Sequence, residues 1–166
     1  MGLREKDPKC RYQVHLPQAS WHTAYDVCLQ KNMTLVRLEA LAEKNILAEV
    51  LEEVDNMMNN FSIKSNYSDV WIGGIMRTSN NESMYLDCKS FKLRHQIIMP
   101  KEKLKDKMAC LYFNLTDKKL HVESCERNKT FVCKSRKQAP ENCTMVTKTN
   151  RLRDDSVYAL SMDHVH

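Results

Sequence analysis

The chain has 166 residues, 42% of them apolar, and a formal net charge of +5, which suits one domain with a core of ordinary size. No apolar run approaches the roughly 18 residues that a membrane-spanning helix needs, so the chain as given does not cross a bilayer. Seven cysteines without a single C-x-x-C pair leave out a zinc ribbon and a thioredoxin-type redox motif.

Tyr12 to His15 alternates weakly and reads as a first strand. Ser20 is a good helix N-cap, and Trp21, Ala24, Tyr25 and Cys28 follow at helical spacing, which predicts a helix ending near Lys31-Asn32. T-L-V-R-L-E-A is a short β-leaning connector. The clearest helix runs from about Leu41 to Met57, with Leu47, Val50, Leu51, Val54 and Met58 as an apolar stripe for the core. Glu43, Glu49, Glu52, Glu53 and Asp55 fall mostly on the other side, as a solvated face. A polar surface loop follows, and then V-W-I-G-G-I, a compact strand stopped by Gly73-Gly74. From Met76 to Lys107 there is little periodicity, and long ordered loops of this kind tend to carry function. M-A-C-L-Y-F-N-L, K-K-L-H-V-E-S and K-T-F-V-C-K read as three short strands.

After Lys134 the chain is polar and without pattern. The expected organisation is an N-terminal lead over 1–9, a domain over 10–134 and a polar C-terminal extension over 135–166, tied down at most by Cys143. Helices come early and strands late, which predicts an α+β domain with an antiparallel sheet.

A dispersed cysteine set favours disulfides and an oxidising compartment, and the odd number leaves at least one thiol free or for another chain. The N-glycosylation pattern N-x-[ST] occurs at Asn32, Asn60, Asn66, Asn81, Asn114, Asn128 and Asn142. Chance would place it about once or twice in this composition. Against this, M-G-L-R-E-K-D-P-K-C has no apolar signal region, and Lys6 breaks the myristoylation pattern. Seven acceptor sites and seven cysteines outweigh the missing leader, and the expectation is a secreted or extracellular glycoprotein.

These residues carry a resemblance. From about Tyr12 to Lys134 the chain resembles the C-type lectin-like domain. S-W-H-T-A-Y-D-V-C, from Ser20 to Cys28, looks like the family's first helix, and T-L-V-R-L-E-A-L-A-E-K-N-I-L is similar to the approach to its second. W-I-G-G, from Trp71 to Gly74, matches the family's W-I-G-L strand in three of four letters. M-A-C-L-Y-F and S-C-E-R-N-K-T-F-V-C-K match its last strands. The resemblance implies an α+β fold of two helices, small antiparallel sheets and a long loop, stapled by Cys28 with Cys133 and Cys110 with Cys125; the sequence alone leaves three pairings of these four open. Cys10, Cys88 and Cys143 remain. Cys10 pairs with Cys143, leaving Cys88 for another chain, or Cys10 pairs with Cys88; both stay open.

Family members that bind sugar do so through calcium, a hard ion that takes six to eight oxygens. The resemblance places E-P-N or Q-P-D in the long loop and W-N-D before the third disulfide cysteine. Here Met99-Pro100-Lys101 and Leu120-His121-Val122 stand there. A thioether, an ammonium and aliphatic groups do not replace carboxylates and amides, and Lys101 repels a cation. No metal or other cofactor is therefore expected at the usual place.

The same region offers a different chemistry. Lys89, Lys92, Arg94, Lys101, Lys103, Lys105 and Lys107 stand against only Glu102 and Asp106, and an extended K-E-K-L-K-D-K puts its lysines on one side. Such a patch attracts sulfated glycans or acidic proteins, although lysine runs also serve simply to keep a loop soluble. It lacks the aromatic interleaving of a nucleic-acid surface. The six histidines, at 15, 22, 95, 121, 164 and 166, show no H-E-x-x-H spacing, and no G-x-S-x-G exists, so no enzyme is expected. The leading expectation is a lectin-like recognition module that binds a protein or an acidic glycan through the basic loop without calcium. The alternatives are a calcium-dependent carbohydrate-binding lectin with displaced ligands, or a structural subunit joined through Cys88 in a disulfide-linked dimer.

Overall fold

Ser20 begins the first helix as its side chain predicts. In the computed structural model its hydroxyl accepts a hydrogen bond from the Thr23 N–H at 3.4 Å, and helix α1 spans Trp21–Gln30. The structure describes residues 11–38, 41–60, 68–78, 82–84, 97–100, 104, 107–136, 143–150 and 157–164. Trp21, Ala24 and Cys28 form the buried face of α1. The helix stops at Asn32, which takes a left-handed φ of 57°, a conformation that asparagine tolerates better than most residues. Helix α2 spans Leu41–Asn60 and runs slightly past its predicted end. Leu47, Val50, Leu51 and Val54 are buried, while Glu49 and Glu52 face solvent.

Ten strands are found among the described residues: β1 (Tyr12–Ala19), β2 (Met33–Leu35), β3 (Asp69–Arg77), β4 (Glu82–Met84), β5 (Ile97–Ile98), β6 (Met108–Asn114), β7 (Lys119–Glu123), β8 (Lys129–Ser135), β9 (Cys143–Asn150) and β10 (Val157–His164). They form one sheet in the order β5-β7-β6-β3-β8-β1-β10-β9, with β2 on β8 and β4 on β3. Most pairs are antiparallel. β3 with β8 and β5 with β7 are parallel, so the sheet is mixed, which a list of elements in chain order does not show.

Side chains alternate across a strand, and here the alternation separates two cores. Val70 and Ile72 of β3 and Val132 of β8 pack with the α2 stripe. Trp71 of β3 with Phe131 and Cys133 of β8 pack with Trp21, Ala24 and Cys28 of α1. Both indoles bury their polar edge against a partner. Trp21 Nε1 donates to the Ile72 carbonyl at 2.8 Å, and Trp71 Nε1 donates to the Ala19 carbonyl at 2.9 Å.

Gly73-Gly74 was expected to stop its strand. Instead β3 continues to Arg77, and its register against β6 shifts between Trp71 and Ile75. The glycines make an irregularity inside the strand. The reason for Gly73 is close approach: its N–H donates to the Val36 carbonyl at 2.6 Å, and a Cβ there would lie 2.7 Å from the Leu35 carbonyl oxygen.

The aperiodic stretch after Met76 holds two short strands among its described residues. Arg77 and Ser83 fall within the β3–β4 hairpin, and Ile97 pairs with Leu120 of β7. Its base is closed at Thr78, whose N–H and hydroxyl both donate to the Lys107 carbonyl, at 3.0 and 3.1 Å. The segment after Lys134 was read as lacking pattern. It holds β9 and β10, a hairpin whose second strand pairs with β1, Gln13 opposite Ser161. Thr144, Val146, Thr147 and Thr149 give β9 the β-branched character that suits a strand.

Candidate functional site

Strand β7 decides what the lectin-like position can hold. Leu120 and Val122 point into the α2 core, with Val122 only 3% exposed. His121 and Glu123 therefore face the other way. The imidazole stacks on the Tyr112 ring of β6, centroids 5.2 Å apart, and its Nε2 lies 2.7 Å from Asp117 Oδ2. Asp117 sits in the turn between β6 and β7, where its other oxygen accepts from the Lys119 N–H at 2.9 Å. Partial burial pushes the Asp117 carboxyl up, but the hydrogen bonds from Lys119 and His121 and their charges outweigh it and hold the group below its usual range.

Lys129, from the first position of β8, lies beneath this surface. Its ammonium is 2.5 Å from Glu123 Oε2 and 3.6 Å from Asp69 Oδ2. The same atom is 4.1 Å from the Tyr112 centroid and 5.4 Å from that of Trp71, so two carboxylates and two aromatic faces surround one cation. Burial, and then the carboxylates of Asp69, Glu123 and Asp117, push the Tyr112 phenol up to about 12, and it stays neutral at physiological pH. Asn114 closes the group: its Nδ2 donates to Asp69 Oδ1 at 2.5 Å, and its Oδ1 accepts from the Asp117 N–H at 3.0 Å. Oxygen atoms are present, but most of them already face an internal partner. Among the described residues no group of three or more His, Cys, Asp or Glu side chains is arranged to hold a metal ion.

The cysteines of the resemblance meet. Cys28 and Cys133 are joined, with Cα atoms 5.4 Å apart, and so are Cys110 and Cys125, at 5.1 Å. Cys10 and Cys88 lie outside the described residues; Cys143 opens β9. Of the basic loop residues, Lys107 is described and exposed, at the base of the loop. Lys89, Lys92, Arg94, Lys101, Lys103 and Lys105 lie outside the described residues. Met99 and Pro100, at the place of the expected calcium loop, are exposed. Of the glycosylation acceptors, Asn32 and Asn128 are exposed, Asn114 is half-buried, and Asn60 is the last residue of α2. Asn66, Asn81 and Asn142 lie outside the described residues.

Sequence reasoning missed the Lys129 cluster. The alternation of K-L-H-V-E pairs His121 with Glu123, but Asp69, Tyr112 and Lys129 join them only through the pairing of β3, β6, β7 and β8.

The family described as the Lectin C-type domain matches residues 17–135. Comparison with curated proteins finds no match. Among solved structures, human lithostathine is similar with a TM-score of 0.60 at 20% identity, over 76% of this chain and 93% of its own. The carbohydrate-recognition domain of mouse scavenger receptor C-type lectin gives 0.55 at 14%, over 78% and 90%. SPL-2 from Saxidomus purpuratus, a Ca2+-independent C-type lectin, gives 0.55 at 17%, over 74% and 83%. At these identities the likeness is one of fold.

Proposed function

The chain belongs to the C-type lectin domain family, and we propose that it is an extracellular recognition module that takes a protein or an acidic glycan through the basic segment 89–107, without calcium at the family's usual position. The observation that carries this reading is the state of β7. Val122 is spent on the core and His121 is held by Tyr112 and Asp117, so neither supplies the carboxylate or amide oxygen that calcium takes. A fold neighbour described as a Ca2+-independent C-type lectin supports a metal-free mode on this scaffold. Seven glycosylation acceptors and two disulfides support an extracellular setting.

The mechanism is electrostatic capture followed by contact. A concentration of lysines on a segment hung from the sheet raises the local density of polyanions and speeds their encounter, and salt screens the effect. The sheet supplies rigidity and takes no chemical step.

Binding of the glycosylated protein, produced in a secretory host, to neutral and sulfated glycans tests the reading, with calcium, with chelator and across a salt series. Binding to sulfated glycans that ignores chelator and fades with salt is the expected result. Binding to neutral sugars that a chelator reverses would overturn it and establish calcium ligands elsewhere in the loop.

A further inference from the structure

The hairpin of β9 and β10 joins the rest of the sheet along one strand. In the strand order β10 borders β1 on one side and β9 on the other. Its register with β1 sets Gln13 opposite Ser161, Val14 opposite Leu160 and His15 opposite Ala159. The other edge of β1 is paired with β8 over a longer run, from Tyr12 opposite Lys134 to Ala19 opposite Lys129. The family match ends at residue 135, so the hairpin is an addition laid against the edge of the lectin-like sheet.

The seam between β1 and the hairpin carries two buried polar side chains. Gln13 is 8% exposed and His15 3%. Val14 between them belongs to the α2 core, so Gln13 and His15 lie on the opposite, α1 face. His15 Nε2 lies 2.7 Å from Gln13 Oε1, and its ring stacks on Phe131 of β8. On the other flank of His15 stands position 159 of β10. The imidazole is therefore enclosed between a strand of the family fold and the strand that was added to it.

The charges around it are few. Lys31, the C-cap of α1, acts on the ring and, after burial itself, disfavours its protonated form. From β8, Gln13 and His15 meet Cys133, which is in a disulfide, and Phe131. On β10 the position of Asp163 shares the face of positions 159 and 161. Arg11, two residues before Gln13, is held by the Ser135 carbonyl. Removing β10 opens one flank of His15 to water, and the ring then takes up a proton that the closed seam refuses. Closure is fully favoured above the ordinary histidine pKa of 6.5 and weakens as pH falls from there to about 4.

We propose that the β9–β10 hairpin is a removable cover on the edge of β1, released in mild acid when His15 is protonated. Release bares a strand edge, a template to which another strand can add.

Hydrogen exchange on the full chain tests the proposal. Segments 143–164 and 129–135 are read by mass spectrometry at about pH 7.5 and about pH 5, with correction for the intrinsic pH dependence of exchange. A histidine pKa of about 4 in the closed form and 6.5 in the open form makes opening of the hairpin rise roughly thirtyfold between these conditions. Segment 129–135 is expected to stay more protected than the hairpin at both. His15→Gln and His15→Phe do not titrate, and each is expected to hold hairpin opening constant to within about twofold; His15→Phe keeps a ring against Phe131. Circular dichroism at neutral pH confirms that each variant is folded. Equal protection of the two segments at both pH values would overturn the proposal, since the hairpin would then leave only on global unfolding. So would an unchanged hairpin in the parent, or a pH response that survives in either folded variant.

Discussion

Lys129 holds its ammonium 4.1 Å from the centre of the Tyr112 ring. The lysine side chain is 10% exposed, and Glu123 and Asp69, its two carboxylate neighbours, are 30% and 36% exposed. Lys129→Met removes the buried cation of the group and leaves Glu123 with only the exposed Arg127, 3.5 Å away, and Asp69 with the Asn114 amide. Breaking a fully buried pair costs about 3–5 kcal/mol; with the carboxylates about one-third open to solvent, a loss of about 2 kcal/mol is expected. Denaturant unfolding measures it. Lys129→Met/Glu123→Gln is expected to recover part of the loss, and a double variant no more stable than the single one would show that the ion pair is not the source.

His15 gives the fold an acid sensitivity. The ring is buried, stacked on Phe131 at 4.6 Å, with Nε2 2.7 Å from Gln13 Oε1. Burial, and then the charge of Lys31, lower its pKa from 6.5 to about 4. Between those values the unfolded chain takes up a proton that the folded chain refuses, so stability falls as pH drops from 6.5 to about 4 and is unaffected by this group at higher pH. The full loss is on the order of 3 kcal/mol. Urea unfolding at neutral and mildly acidic pH should show the slope in the parent, and His15→Gln should flatten it even if its stability at neutral pH is lower.

Gly73 and Gly74 are predicted to differ. A Cβ on Gly73 meets backbone, the Leu35 carbonyl oxygen at 2.7 Å, whereas one on Gly74 meets the Leu111 side chain at 2.5 Å. A leucine rotates more readily than a strand moves. Gly73→Ala is expected to cost about 2–3 kcal/mol and Gly74→Ala about 1–2 kcal/mol. Midpoints of denaturant unfolding give the order, and a larger effect at Gly74 would show that Leu111 cannot yield.

Asn114 should be the least occupied of the described acceptors whose exposure differs. Its amide already serves Asp69 and the Asp117 N–H, while Asn32 and Asn128 are exposed. Peptide mapping of protein from a secretory host is expected to find glycan at Asn32 and Asn128 and little at Asn114. High occupancy at Asn114 would mean that the turn forms around the sugar.

Local features were legible in the sequence. Ser20 announced α1, the spacing of Leu47, Val50, Leu51 and Val54 announced α2, and the cysteine spacing with W-I-G-G announced the family. These signals are short in range, or come from a resemblance that orders them along the chain. The Lys129 cluster was not legible, because four strands meet there and chain order does not say which strands are neighbours. In β9, the threonines at 144, 147 and 149 hid a strand, since polar β-branched residues resemble loop composition.

The Thr78 to Lys107 closure also has an engineering consequence. Two hydrogen bonds and the Arg77–Met108 register lock the feet of the long segment to neighbouring strands. The strands fix the distance the segment must bridge, and doubling its length costs only about 0.6 kcal/mol in closure entropy. Ile97 and Leu104 pack against the α2 core, and β4 and β5 pair with β3 and β7, so libraries that keep these anchors can vary the remaining positions between Thr78 and Lys107 on a fixed socket.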